Sequence, residues 1–239
     1  MDDAEAATGH GGPARPDPTL YPDIASAGSL QNALQAELNR ADHRLTALPE
    51  RAPGWRYVGA RVEDPHRNTN IVMGAQERAF IMEFWSSGVC MARGHTADLP
   101  AVADATHLWQ TGSRVREMNA ACPFVRFSGL AEAHERGEAA EYTWRSYHEN
   151  PRQAPQLTRL HTFIALAIDE PQLCALLPFT SMGTLGFSKT ASYPHSGGYP
   201  WVKPVGQDRY LVKGPDGHEL GTADAIGSLA LVLAALPST

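Results

Sequence analysis

The sequence has few cysteines and none of the spacings that bind metal or build a disulfide framework. Its three cysteines, Cys90, Cys122 and Cys174, lie far apart and form no CxxC pair. Their odd number and wide spacing argue against both a disulfide scaffold and a thiolate zinc site, so we interpret them as buried, reduced thiols. The ten histidines form no HExxH or HxH pair, and we therefore expect no bound metal.

The sequence also lacks the motifs that bind phosphate groups. Neither GxGxxG nor GxxxxGK[ST] occurs, and the glycine cluster Ser196-Gly197-Gly198-Tyr199 has no helix pattern behind it. The formal net charge is −6, whereas a nucleic-acid-binding protein needs a basic surface. We therefore expect no cofactor and no nucleic-acid partner.

No apolar run is long enough to span a membrane. The longest, from Leu229 to Leu236, is far shorter than the roughly 20 residues that a membrane helix needs. The first residues, Met1-Asp2-Asp3-Ala4-Glu5, are acidic where a signal peptide would be basic. With 43% apolar and 19% charged residues, the composition is typical of a globular protein, and we expect a cytoplasmic location without membrane association.

The first fifty residues predict a tail and a helix. Residues 1–28 are rich in Gly, Pro, Ala and Asp, which predicts a disordered or loosely packed tail. Residues 29–50 predict an amphipathic helix, with Ser29 as N-cap and apolar residues at steps of three and four: Leu30, Leu34, Leu38, Ala41, Leu45 and Leu48. This stripe favours docking on the domain. Its steps also fit a heptad, so a homodimer contact through 29–48 is the alternative.

The rest of the chain predicts an α+β fold of two related antiparallel-sheet-plus-helix units, 51–150 and 151–239, joined by a helical segment. Strands are indicated over 56–62, 71–73, 78–85, 89–92, 184–189, 209–213 and 218–220. In both units a hairpin leads into Thr-Ala-Asp and then a helix, at Thr96-Ala97-Asp98 and at Thr222-Ala223-Asp224. Two such units would form a cleft at their junction, which is a common place for a ligand.

The clearest family pattern lies between Leu177 and Thr190. Pro178-Phe179-Thr180-Ser181 precedes Leu185-Gly186-Phe187-Ser188-Lys189-Thr190, and a Tyr210-Leu211-Val212 strand and a helix ending at Leu236-Pro237 follow. With Asp98-Leu99-Pro100 to Trp109 and with Trp144, these motifs resemble the DUF6193 proteins over roughly residues 55–237. That actinobacterial family of unknown function is often labelled as natural-product biosynthesis proteins. Met182 stands where the family often has a histidine.

The resemblance implies an association with secondary-metabolite gene clusters and not a mechanism. Some members look like enzymes that close rings by acid/base chemistry, with Pictet–Spengler condensation among the reactions. The same α+β layout also resembles the toxin-immunity domains of the SUKH type.

Several residues are candidates for chemistry. Glu83 lies in an apolar strand, on one face with Ile81 and Trp85. A carboxylate there would act as an acid/base if isolated, whereas pairing with an arginine such as Arg61 or Arg93 would make it structural. The other candidates are hydroxyls that orient a substrate or cap a turn, a loop histidine that is a base or a surface residue, and tryptophans that stack on a ligand or fill the core: Thr180, Ser181, Ser188, His195, Trp85 and Trp201.

Two functions follow from these expectations. The first is a cofactor-independent biosynthetic enzyme that promotes condensation or cyclisation of a small aromatic or amine-bearing substrate, with Glu83 as acid/base. The second is a non-catalytic binding protein, either an immunity-type partner or a carrier of a biosynthetic intermediate. Its net charge of −6 would suit capture of a basic partner.

Overall fold

A computed structural model describes residues 12–237 and divides the chain into two units, residues 1–128 and 129–239. Each unit has its own antiparallel sheet with helices, of six strands in unit 1 and five in unit 2. The predicted α+β class with two sheet units is confirmed. The boundary lies at Ser128/Gly129 and not at 150/151, because the helices from Gly129 onward pack on the second sheet.

Unit 1 is a meander with all six strands in chain order. Its elements are α1 (Pro22–Ala27), α2 (Leu30–Arg40), β1 (Leu48–Pro49), β2 (Gly59–Glu63), β3 (Arg67–Met73), β4 (Phe80–Ser86), β5 (Val89–Thr96), α3 (Leu99–Gln110), α4 (Val115–Ala121) and β6 (Val125–Phe127). Strand alternation divides β4 between two faces. Phe80, Met82 and Phe84 are buried in the core, while Ile81, Glu83 and Trp85 occupy the outer face.

The tail predicted over 1–28 falls partly on residues 1–11, which lie outside the described residues. From Gly12 onward the prediction is wrong, because this segment packs into unit 1. Tyr21 and Ile24 are fully buried, and the Tyr21 hydroxyl lies 2.9–3.0 Å from the carbonyls of Gly74, Glu77 and Ala79. It also accepts the backbone N–H of Ala79 at 2.9 Å. The Gly- and Pro-rich composition of this segment therefore does not show that Tyr21 is buried and fixes the segment by hydrogen bonds.

The helix predicted over 29–50 is half as long in the structure. Ser29 caps it as expected, accepting from the backbone N–H of Asn32, but α2 ends at Arg40 and Asp42 is left-handed with φ 54°. The Gln35 side chain then holds the following extended segment by hydrogen bonds with the backbone of Leu45 and Ala47. These bonds satisfy peptide groups that a longer helix would have paired internally. The homodimer alternative would have only 30–40 as its helix.

Unit 2 has the sheet order β11-β10-β9-β8-β7. Its elements are α5 (Gly129–Glu135), α6 (Ala139–Glu149), α7 (Pro155–Ala167), α8 (Pro171–Cys174), β7 (Leu177–Ser181), β8 (Thr184–Ser188), β9 (Trp201–Gly206), β10 (Arg209–Lys213), β11 (Glu219–Ala223) and α9 (Ala225–Ala234). The core lies between one sheet face and helices α6, α7 and α9, with Trp144, Phe163 and Phe187 among its largest side chains.

The repeated hairpin-to-helix order is present in both units, as β4-β5-α3 and β10-β11-α9. The capping differs. Asp224 accepts the backbone N–H of Gly227 at 2.8 Å, as expected. Asp98 occupies the N-cap of α3 without a side-chain cap bond, and its own N–H donates to Thr96 Oγ1 instead. The Thr-Ala-Asp tripeptide therefore comes directly before a helix in both units, but its hydrogen bonds differ between the two.

Among residues 12–237, the helices are all too short or too polar to cross a bilayer.

Candidate functional site

An aromatic row crosses three strands on the outer face of the unit 2 sheet. Phe179 on β7 pairs in register with Gly186 on β8, and Trp201 follows on β9, beside the Leu185–Val202 pair. Because Gly186 has no side chain, the two half-buried rings lean over it and meet edge to face, 5.3 Å between centroids. A Cβ at Gly186 would lie 2.7 Å from Phe179 Cζ and 2.8 Å from Trp201 Cζ3. The glycine therefore creates space for both rings.

His195 completes this group. Its imidazole stacks on the Phe179 ring with 3.9 Å between centroids and 24° between planes. Its Nδ1 is buried and has no hydrogen-bond partner among the described residues. Burial lowers the pKa of His195, so the ring is neutral at pH 7. Phe179, His195 and Trp201 together are called the aromatic surface below.

The loop that carries His195, residues 189–200, is tied to the sheet by the Ser188 hydroxyl. Ser188 is fully buried; its Oγ donates to Thr190 O at 2.7 Å and accepts the backbone N–H groups of Thr190 and Ser196 at 3.1 and 3.0 Å. Ser196 Oγ lies 2.8 Å away and accepts the N–H of Lys189. The expected substrate-orienting serine is therefore a support for the loop behind the aromatic surface.

Two lysines lie on the same face beside the aromatic surface. Lys213 on β10 is the register partner of Trp201, and Lys203 is two residues further along β9. Lys203 is exposed and Lys213 is half-buried. Glu219 on β11 is the next residue across from Lys213. Across β9, β10 and β11, the neighbouring side chains are therefore aromatic at Trp201, positive at Lys213 and negative at Glu219.

The other two hydroxyl candidates lie elsewhere. Thr180 alternates to the core side of β7 and hydrogen-bonds with Tyr147 of α6, whose pKa is raised by burial. Ser181 ends β7 at a two-residue turn in which Met182 and Gly183 both have positive φ, 48° and 79°. Met182, at the position of the family's frequent histidine, is fully exposed at this hairpin tip. Of the five candidates in unit 2, the structure therefore brings together Ser188, His195 and Trp201.

In unit 1, the structure brings Glu83 and Trp85 together with an arginine. Glu83 Oε1 accepts from Arg93 Nε at 3.1 Å, and its Oε2 accepts from the Trp85 indole N–H at 3.3 Å. The carboxylate side chain is 35% exposed. Of the two interpretations of Glu83, the geometry is that of the arginine-paired carboxylate. Glu83, Trp85 and Arg93 belong to unit 1, whereas the aromatic surface belongs to unit 2.

Two residues that build the aromatic surface, Phe179 and Gly186, are not among the site residues predicted from the sequence. Phe179 lies in the family motif but in none of the strands that the sequence indicates, because Pro178 beside it argues against a strand. Gly186 belongs to the family motif, and its place in that motif does not indicate a structural role. The available signal was a glycine in the middle of the buried strand Leu185-Gly186-Phe187, which often marks the close approach of another group.

A metal site is not offered by the part of the chain that the structure describes, where no three His, Cys, Asp or Glu side chains converge.

Comparisons with known proteins add one finding. Residues 138–239 match the model of DUF6193, described as a family of unknown function. No curated protein and no solved structure matches the chain. The matched segment includes every residue of the aromatic surface together with Gly186, Ser188 and Lys213. The segment that resembles the family is therefore the segment that builds this candidate site.

Proposed function

We propose that this protein binds a small, flat aromatic molecule on the aromatic surface, as a carrier of an intermediate in natural-product biosynthesis. The observation that carries the proposal is the convergence of Phe179, His195 and Trp201 over Gly186 on an outer sheet face. Aromatic groups outside the core offer π-faces for stacking, and such contacts add about 0.5–1.5 kcal/mol beyond area burial.

The charges around the aromatic surface favour a neutral or anionic ligand. Lys203 and Lys213 lie on the same face, next to Trp201. An aromatic acid fits these features better than an aromatic amine.

The biosynthetic context comes from the family resemblance, whose members are often labelled as natural-product biosynthesis proteins and come from actinobacteria. Residues 138–239 match the DUF6193 model, which is described as a family of unknown function, so the biosynthetic context is part of our proposal. An immunity-type role would instead need an exposed acidic patch for a basic partner. The aromatic surface has lysines beside it, so it favours a small ligand over such a partner.

A second candidate function is the cofactor-independent enzyme, which would promote condensation or cyclisation of an aromatic or amine-bearing substrate, for example of the Pictet–Spengler type. The observation that favours it is the neutral, stacked imidazole of His195, since a proton acceptor must be uncharged at working pH. In this version His195, and not Glu83, would take the proton, because the Glu83 carboxylate is paired with Arg93.

The test is an isothermal titration with three probes: indole-3-acetate, tryptamine and the non-aromatic cyclohexylacetate. The proposal predicts saturable binding of indole-3-acetate, weaker binding of tryptamine and none of cyclohexylacetate. Phe179→Leu and Trp201→Leu should each weaken binding of indole-3-acetate about tenfold, because each removes a π-face. Trp55→Leu is the matched control, since Trp55 is an exposed tryptophan in unit 1.

Equal affinity for indole-3-acetate and cyclohexylacetate, or unchanged affinity in both leucine variants, would refute the aromatic site. His195→Gln separates the two functions. A carrier would lose affinity about tenfold, as in the two leucine variants, and has no turnover to lose. An enzyme that condenses tryptamine with an aldehyde would lose its rate by about two to four orders of magnitude.

A further inference from the structure

Two arginines of unit 1 lie directly opposite each other on neighbouring strands. Arg93 on β5 is the register partner of Arg126 on β6, and both side chains are on the outer, solvent-exposed face of the sheet. Directly opposed side chains in an antiparallel pair are only about 4.5–5.5 Å apart at Cβ, so like charges repel each other there. We call these two residues the arginine pair.

Only one member of the arginine pair is neutralised by the protein. Arg93 is fixed by the Glu83 carboxylate at 3.1 Å, and Glu83 is oriented in turn by the Trp85 indole N–H. Arg93 also hydrogen-bonds with the thiol of Cys90, whose pKa is raised chiefly by burial. The Arg126 guanidinium has no ion pair and no hydrogen bond among residues 12–237, and Arg126 is linked to β5 through its backbone. The local charge of Glu83 and the arginine pair is therefore +1.

The arginine pair borders a cleft with an apolar floor. The cleft has a volume of about 320 Å³, and Met91, Ala92 and Phe127 line it together with both arginines. Met91 is the extra residue at the irregularity between β4 and β5, where Trp85 pairs with Cys90 and Phe84 with Ala92. Met91 and Ala92 are both buried, so the bulge places two apolar residues next to Arg93 along β5. A volume of this size suits a small molecule.

We propose that the arginine pair is a binding site for an oxyanion, a carboxylate or a phosphate, carried on a small apolar body. Guanidinium groups present planar N–H forks that match both oxyanions, and two forks on one anion would turn the repulsion between them into shared attraction. The apolar part of the ligand would contact Phe127, which is half-buried and lines the same cleft. Glu83 and Trp85 are positioning residues, because they hold Arg93 at the edge of the cleft.

This site shares no residue with the aromatic surface, so either can fail without the other. The probes are benzoate, phenyl phosphate and the neutral benzamide, titrated by calorimetry at fixed ionic strength. Benzoate, phenyl phosphate or both should bind saturably, and benzamide should not. Arg126→Gln should weaken binding about tenfold or more, and Arg126→Lys, which keeps the charge but loses the fork, by an intermediate factor. Arg40→Gln, at an exposed arginine of α2, should bind like the wild type.

A second measurement uses the unmodified chain, so the test does not depend on how a variant folds. In NMR spectra of the guanidinium groups, benzoate or phenyl phosphate should shift the Nε signals of Arg93 and Arg126 together and leave Arg40 unmoved. Glu83→Gln raises the local charge from +1 to +2, so it should not weaken binding as Arg126→Gln does, and it should move the Arg93 signal already in the free protein. Equal binding of benzamide and benzoate, or undiminished binding by Arg126→Gln, would overturn the proposal.

Discussion

The imidazole of His195 lies against the ring of Phe179, with 3.9 Å between their centroids. This contact joins a residue of a loop to a residue of the edge strand β7, and it covers one face of Phe179. Trp201 meets the same ring edge to face. The aromatic surface therefore depends on three supports: the neutral state of His195, the open position at Gly186 and the loop bonds of Ser188. Each support gives a prediction.

The charge state of His195 should make stability depend on pH. Burial lowers its folded pKa below the ordinary 6.5, so the unfolded chain binds more protons between the two values. The stabilisation is complete above pH 6.5 and is lost as pH falls through the folded pKa. We expect His195→Phe, which keeps a stacked ring, to gain stability relative to the wild type as pH drops below 6.5. Chemical denaturation at several pH values measures this; a constant difference would contradict it.

The empty position at Gly186 should not tolerate even one methyl group. In Gly186→Ala the new Cβ would lie 2.7 Å from Phe179 and 2.8 Å from Trp201, so both rings must move. Overpacking of this kind costs about 1–3 kcal/mol of unfolding free energy. The near-UV circular dichroism of the tryptophans should also change. Gly206→Ala in β9 is the control, because its nearest neighbour would be 3.6 Å away; equal effects of both variants would refute the packing argument.

Ser188→Ala should loosen the 189–200 loop. The change removes the acceptor of the backbone N–H groups of Thr190 and Ser196 and leaves them without that bond. The loss of each of these partly buried hydrogen bonds costs about 0.5–1.5 kcal/mol. Hydrogen exchange should speed up at these two amides, while the amides of β10 keep their protection. Ser192→Ala, which removes an exposed hydroxyl bonded to Thr190, should leave exchange unchanged.

Tyr21→Phe tests whether the segment before α2 is part of unit 1. The change removes the hydroxyl that accepts the buried N–H of Ala79 at 2.9 Å and donates to a neighbouring carbonyl. We expect a loss of about 1–3 kcal/mol in unfolding free energy. Thermal or urea unfolding measures it, and Tyr57→Phe is the comparison. A change within about 0.5 kcal/mol, typical of surface substitutions, would mean that the segment contributes little.

The sequence indicates strands that are rich in apolar side chains and bounded by turn residues, and two of the strands that it does not indicate contain a proline. β4 and β10 belong to the first group, with apolar and aromatic runs such as Phe80–Met82 and Tyr210–Val212. β7 and β9 contain Pro178 and Pro204, which lower any strand prediction, although β7 is an edge strand where a missing N–H is tolerated. Because β7 and β9 carry Phe179 and Trp201, the aromatic row cannot be predicted unless both strands are predicted.

The roles of single residues were harder to predict than the strands. Glu83 stands among apolar neighbours in sequence, but its cross-strand partner is Arg93, ten residues away. Such pairing depends on the register and cannot be read from spacing alone. The same holds for Ser188, whose bonds reach Ser196 across the loop. The burial and hydrogen bonds of Tyr21 hold its segment in unit 1, although the composition of that segment predicts a loosely packed tail.

The most direct test of the central claim is an NMR measurement of nuclear Overhauser effects between bound indole-3-acetate and the protein's aromatic side chains. The account predicts contacts from the indole ring protons to Phe179, Trp201 and His195, and a shift of the Lys213 signals by the carboxylate. Binding that gives contacts only to other side chains, or no saturable binding at all, would contradict the proposal that this face of unit 2 is an aromatic ligand site.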